Sequence, residues 1–166
     1  MRVLFRNMVM TYVISKYLDK ETATKAREYA EQLEEPRWVR RSLMPTPRQV
    51  DGSTCAYDFC GHSQMPKHII EFYKSIAPFF EDHRLAEIAI NRYKIGDYLG
   101  KHRDVDYYRK NLVISLQDSD DGLLIDDDNE FIKDSIGQGV CIEGIGPVHS
   151  VAPVNNKRYS LVYLYE

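Results

Sequence analysis

Two histidines and an aspartate are the residues of this chain whose types and spacing could do metal chemistry. His102 and Asp104 stand two apart in "LGKHRDVD", and His149 opens the segment "HSVAP" 47 residues later. Side chains two apart on a strand project from the same face. One strand therefore presents His102 and Asp104 together, and a distant strand of the same sheet supplies His149. Two imidazoles and one carboxylate bind ferrous iron on one face of its octahedron and leave the opposite face open for a cosubstrate and O₂. H-x-D alone is a weak pattern in a chain with five histidines and abundant aspartate.

The tail "HSVAPVNNKRYSLVYLYE" strengthens it. Arg158 follows His149 by nine residues in a strand-like run, with Ser160 on the same face. An arginine inside a sheet requires an anion, because an unpaired buried charge is costly. A guanidinium grips a carboxylate through two parallel hydrogen bonds. Beside an iron centre, the fitting anion is the far carboxylate of 2-oxoglutarate. Asn91 and Tyr93 alternate along "INRYKI", ahead of the metal residues, and can hydrogen-bond a carboxylate or keto acid.

The elements that must position these groups are readable in outline. Lys20 to Leu33 has helix formers with apolar positions at helical spacing, ended by Glu35-Pro36. Met65 to Phe80 reads as a second helix with Pro66 in its first turn. Beyond residue 85, short β-branched runs recur between Gly, Asp and Asn: "AEIAINRYKI", "NLVISLQ", "GLLI", "QGVCIEG", "HSVAP" and "RYSLVYLY". Helices followed by many short strands indicate an α+β domain with a sandwich or barrel-like sheet and helices on one side. "MRVLFRNMVMTYVI" reads as a strand or linker, since Arg6 and Asn7 interrupt its apolar stretch.

Bulk properties narrow the class. With 166 residues, 43% hydrophobic and 28% charged, the chain reads as one globular domain spanning 1–166, with a monomer expected. A net charge of -3 gives no chain-wide bias towards nucleic acid. Locally, Arg37, Arg40, Arg41 and Arg48 form an acid-free stretch, and six aspartates fall between Asp118 and Asp128. Three irregularly spaced cysteines argue against a disulfide framework and suit a cytoplasmic or other reducing compartment. A zinc site from Cys55, Cys60 and His62 lacks a second ligand pair. No apolar run is long enough to span a membrane.

"INRYKIGDYLGKHRD" resembles the iron-binding segment of AlkB-like 2-oxoglutarate/Fe(II) dioxygenases, where an N-x-Y strand leads through a Gly-containing turn into H-x-D. "TPRQVDGSTCAYDFCG" is similar to that family's Pro-Arg stretch and aromatic-x-aromatic-x-Gly element, and the match extends roughly from Pro45 to Tyr165. The resemblance implies a double-stranded β-helix (jelly roll) with the N-terminal helices packed on one sheet. It assigns His102, Asp104 and His149 to Fe(II), and Asn91, Tyr93, Arg158 and Ser160 to 2-oxoglutarate, with O₂ as co-reactant. It places Tyr57, Phe59, Arg48 and Arg103 at the substrate, expected to be a nucleobase in DNA or RNA that is modified or repaired.

Three departures bear on the substrate. Leu164 stands where the family carries a second arginine. The His149-to-Arg158 connection is short, as in prolyl-hydroxylase-like members of the wider superfamily, whose tail this one also resembles. The acidic run would repel a nucleic-acid backbone. The alternative reading is therefore a prolyl-hydroxylase-like oxygenase acting on a peptide or amino acid. A non-catalytic nucleic-acid-binding module would use the arginines, Trp38 and the aromatics but leave the two histidines without a role.

Overall fold

The computed structural model describes residues 12–43, 48–105 and 107–166. Helix α1 (Lys20–Glu31) starts where the Asp19 carboxylate accepts a hydrogen bond from Thr22 N at 2.7 Å, satisfying one of the free amides of the first turn. Its buried face is Ala23, Ala26 and Ala30, side chains small enough to bring the helix close to its support. It stops before the expected Leu33, and Pro36 sits in a separate 3-10 turn, Glu35–Arg37. Helix α2 (Lys67–Ser75) follows Pro66 and is shorter than Met65 to Phe80. Pro78 disfavours helical backbone at the residue before it, so the "IAPFF" segment runs on without helix.

Among the described residues, eleven strands follow the order β1 (Tyr12–Lys16), β2 (Val39–Arg41), β3 (Cys55–Gly61), β4 (Leu85–Tyr93), β5 (Tyr98–His102), β6 (Lys110–Ser115), β7 (Gly122–Ile125), β8 (Glu130–Lys133), β9 (Gln138–Glu143), β10 (His149–Val151) and β11 (Arg158–Tyr165). The six apolar runs of the sequence are β4, β6, β7, β9, β10 and β11. Strands β2, β5 and β8 (VRR, YLGKH, EFIK) carry little apolar pattern and become strands because a neighbour pairs with them. Of the first candidate strand, residues 1–11 lie outside the described part.

All pairings are antiparallel, in the order β1-β9-β6-β11-β4-β3-β5-β10-β7-β8, with β2 also on β3. Strand β3 is the fold line. Cys55 and Ala56 pair with β5, whereas Asp58 to Gly61 pair with β4, so the sheet turns there and curls into a half-barrel. Alternation then sorts side chains between two cores. Tyr159, Leu161, Tyr163 and Tyr165 of β11 join Ile88, Ile90, Leu112 and Ile114 in one buried cluster with α1 and α2 residues Ala23, Ala26, Ala30, Ile69 and Tyr73. The Tyr163 hydroxyl donates to Tyr73 O and the Tyr73 hydroxyl to Ala26 O. The opposite faces of the strands enclose a second cluster: Cys55, Tyr57, Tyr93, Leu123, Ile125, Val140, Ile142 and Val151. Cys55 and Cys60 thus lie in different cores, which rules out their sharing a zinc ion with His62.

Candidate metal centre and interior pocket

His102 closes β5, His149 opens β10, and the two are direct partners in the antiparallel register. Their ring centroids are 4.2 Å apart. Asp104, two residues beyond His102, brings Oδ1 to 3.3 Å from His149 Nε2 and 3.8 Å from His102 Nε2. One ligand atom from each residue lies within 4.8 Å of the others, the one such group found among the described residues. Each Nδ1 lies 2.9 Å from a backbone carbonyl, Gly100 O for His102 and Pro147 O for His149. A carbonyl can only accept, so Nδ1 carries the proton and Nε2 turns its lone pair to the centre.

The electrostatics of the cluster suit a bound cation. Asp104 Oδ2 is buried without a hydrogen-bond partner, a costly state for a carboxylate oxygen. Burial, with the adjacent His149, pushes His102 down to about 4. Burial also works against charge on His149, but the Asp104 carboxylate outweighs it and raises that imidazole. Asp104 is shifted down despite its burial, because His149 and His102, helped by the Asn111 side chain, favour its anion.

The loops carrying the ligands are tied to each other. Arg103 Nη1 donates to Gly146 O at 2.7 Å and Nη2 lies 3.3 Å from Asp127, while Asp104 N donates to Ile145 O at 3.1 Å. The acidic run fastens the other side. Asp127 accepts from Val148 N at 3.0 Å, Asp126 from the Ser150 hydroxyl at 2.8 Å, and Asp121 from Asn155 N and Asn156 N. Gly100 marks a close backbone approach, since a Cβ there would lie 2.4 Å from Thr54 O. Arg103, expected at the substrate, lines the same cavity as His102 and Asp104, and its guanidinium is held by the His149 loop and Asp127.

Arg158, Ser160, Asn91 and Tyr93 share the interior face, with Arg158 opposite Tyr93 and Ser160 opposite Asn91 in the register. The anion beside Arg158 differs from the one expected. Asp134, after β8, takes Arg158 Nε at 2.8 Å and Nη2 at 3.1 Å, and both side chains are buried. Ser115, Gln117 and Ser119 also donate to Asp134. Nη1 faces Ser160 Oγ at 3.2 Å, and the guanidinium lies 5.1 Å from the Tyr93 ring centroid. The protein thus neutralises this arginine itself.

Asp134 and Asn111 were missed from sequence. Asp134 has no local signature, because only the β7–β8 hairpin brings it under β11. Asn111 left a faint one, a polar residue in register with Val113 and Ser115 on the inward side of β6. Asn91 and Asn111 each bury an Oδ1 with no partner, and both line a cavity of about 330 Å³ that also reaches His102 and Asp104. Tyr57, Phe59, Arg41, Arg48, Leu43 and Tyr107 also line it, with Leu43 and Tyr107 exposed.

The expected stacking pair is already engaged. Tyr57 stacks on Tyr93 with centroids 5.4 Å apart and an interplanar angle of 19°. The Arg41 guanidinium lies 4.0 Å from the Phe59 ring centroid. Arg37 donates to Gln64 O, and Arg40 forks onto Asp97 at 2.7 Å through both terminal nitrogens. One face of each ring is thus covered within the protein, both rings line the cavity, and Arg37 and Arg40 are engaged internally.

No protein-family model matches the chain, and no curated protein matches it by sequence. Solved structures do match. An oxidoreductase of the 2OG-Fe(II) oxygenase family from Burkholderia pseudomallei is 16% identical with a TM-score of 0.66, over 99% of this chain and 88% of that one. A Pseudomonas putida prolyl-4-hydroxylase is 18% identical with a TM-score of 0.60, over 99% and 97%. The 2OG complex of a viral collagen prolyl hydroxylase from Paramecium bursaria Chlorella virus-1 is 14% identical with a TM-score of 0.54, over 93% and 94%. The nucleic-acid substrate and AlkB-like subtype expected from sequence draw no support from these matches. What the likeness establishes is the fold: this chain has the jelly-roll fold of the 2OG-Fe(II) oxygenases, with a His-Asp-His cluster inside it.

Proposed function

We propose that this chain is an Fe(II)- and 2-oxoglutarate-dependent dioxygenase that hydroxylates a peptidyl or free amino acid. The observation that carries the reading is the convergence of His102 Nε2, His149 Nε2 and Asp104 around a point where a carboxylate oxygen is buried and unpartnered. Two neutral imidazoles and one carboxylate are the donor set for ferrous iron with open positions. When bound, iron, 2-oxoglutarate and O₂ supply the oxidation: the keto acid leaves as succinate and CO₂, and one oxygen atom enters a substrate C–H bond.

The chain's own residues hold, orient and shield. Gly100 O and Pro147 O fix the histidine tautomers. Asn91 and Asn111 offer amides along the cavity. The distal carboxylate of the cosubstrate would meet Arg158 on its Nη1 side with Ser160, because Nε and Nη2 already hold Asp134. Tyr57 and Tyr93 form an aromatic wall that keeps water from the interior.

The amino-acid reading is favoured over a nucleobase by the engaged aromatics, the short His149-to-Arg158 connection and the likeness to prolyl hydroxylases. The test is anaerobic titration with Fe(II) and 2-oxoglutarate, followed by O₂-dependent succinate release with peptides, amino acids and oligonucleotides. The expected result is a visible charge-transfer band of the chelate and stimulation by an amino-acid substrate. His102→Ala, Asp104→Ala and His149→Ala should each lose more iron affinity than the roughly 10–100-fold typical of outer-shell changes, while circular dichroism stays native. Full turnover in any one of them rejects the centre, and stimulation by oligonucleotides alone restores the nucleobase reading.

A further inference from the structure

Among the described residues, two arginines that line the cavity have no carboxylate partner. Arg41, at the end of β2, and Arg48, beyond the adjoining connection, are half-buried and line the same cavity as His102 and Asp104. Arg41 packs over Phe59, and Arg48 lies 5.9 Å from the Tyr107 ring centroid. Among the described residues neither forms an ion pair. Their neighbours do: Arg40 with Asp97 and Asp58, Arg92 with Glu35 and Asp58, Arg103 with Asp127. The charge of Arg41 reaches the cavity wall. Burial raises the Tyr57 phenol and the Cys55 thiol, and Arg41 pulls both back. Of the two acids in the lining, Asp104 belongs to the His-Asp-His cluster and Glu87 accepts a hydrogen bond from Tyr108.

We propose that Arg41 and Arg48 form an anion clamp that selects a substrate bearing a carboxylate close to the oxidised carbon, so that an acidic peptide segment or acidic amino acid is preferred. This rests on the oxygenase function proposed above. A half-buried guanidinium over an aromatic face keeps its charge and loses little freedom when it takes up a carboxylate. Leu43 and Tyr107, both exposed at the rim, give the rest of the substrate an apolar contact. A nucleic-acid backbone would require a track of free cations, and Arg37 and Arg40, which could extend one, are bound within the protein.

The clamp is tested by calorimetric binding of blocked pentapeptides to the Fe(II)- and 2-oxoglutarate-loaded protein without O₂. The peptides carry Asp or Glu, Asn or Gln, or Lys beside a central proline. Free L-aspartate, free L-glutamate and a single-stranded DNA oligonucleotide complete the set. The acidic probes are expected to bind about tenfold or more tighter than their amide isosteres. Arg41→Glu should reverse the order in favour of the Lys peptide, and Arg48→Glu should move it the same way. Equal affinity for acid and amide, no binding by any acidic probe, an unchanged order in both variants, or tightest binding by the oligonucleotide each overturn the clamp. The chelate absorption is recorded on every sample. A band without acid preference sinks the clamp alone, whereas acid preference without a band keeps the clamp and sinks the oxygenase function.

Discussion

Asp134 shows how one residue changes the meaning of another. Arg158 has the nine-residue spacing from His149 and the inward face that suit a cosubstrate anchor, yet it already holds an internal carboxylate through two nitrogens. Removing one partner of a buried pair leaves an uncompensated charge. Asp134→Ala is therefore expected to cost about 3–5 kcal/mol, while Asp134→Leu with Arg158→Met recovers most of that loss. Urea unfolding midpoints check both, and a single variant as stable as the double would show that the pair is not buried as described. The arginine's remaining face, with Ser160 and the Tyr93 ring, is what it can offer to a ligand.

At the scale of elements, the ligands are set by turns as much as by strands. His102 and His149 face each other because β5 and β10 pair there, and the aspartates after β7 hold the β10 side in place. The turn from β4 to β5 is fixed in a similar way. Asp97 accepts both terminal nitrogens of Arg40 and Lys94 N, which joins β2 to the segment leading to His102. Burial alone would raise Asp97, but the Arg40 fork outweighs it and lowers the carboxyl below its ordinary value. A carboxylate with a depressed native pKa stabilises the fold above its unfolded value of about 3.9 and loses that contribution as pH falls through the native one. Asp97→Asn should thus lower the melting temperature at pH 7 and flatten its decline on acidification below about pH 4. Melting curves from pH 7 to 2.5 decide it, and parallel declines in both proteins would show that Asp97 does not carry the linkage.

At the scale of the molecule, the curled sheet has two cores with different tasks. The helix-backed core of tyrosines and aliphatics provides stability, and the enclosed face trades part of its apolar packing for Asp104, Asn91, Asn111 and their unpartnered oxygens. Such groups destabilise the apo-protein and are relieved by a ligand, so metal should tighten the whole fold. A divalent ion at about 100 times its dissociation constant adds roughly 2.7 kcal/mol. Fe(II), or Mn(II) as its air-stable substitute, is expected to raise the melting temperature in scanning fluorimetry, chelator should reverse the gain, and Asp104→Ala should abolish it. An equal gain in that variant would place the metal elsewhere.

The His-Asp-His cluster and the six apolar strands were legible in the residues: β-branched runs between turn residues leave little choice of element, and the H-x-D spacing keeps Asp104 near His102, although Asp104 lies past the end of β5 and reaches the cluster from the following loop. The sequence also carried the short His149-to-Arg158 connection on which the proposed amino-acid reading draws. Tertiary structure decided the rest. The partner of Arg158, the stacking of Tyr57 on Tyr93, the tethering of Arg103 and the packing of Arg41 over Phe59 all depend on contacts between segments far apart in the chain. Local spacing gives a side chain its direction, but register and curvature decide what it meets there, and whether a charge arrives already neutralised or still able to bind.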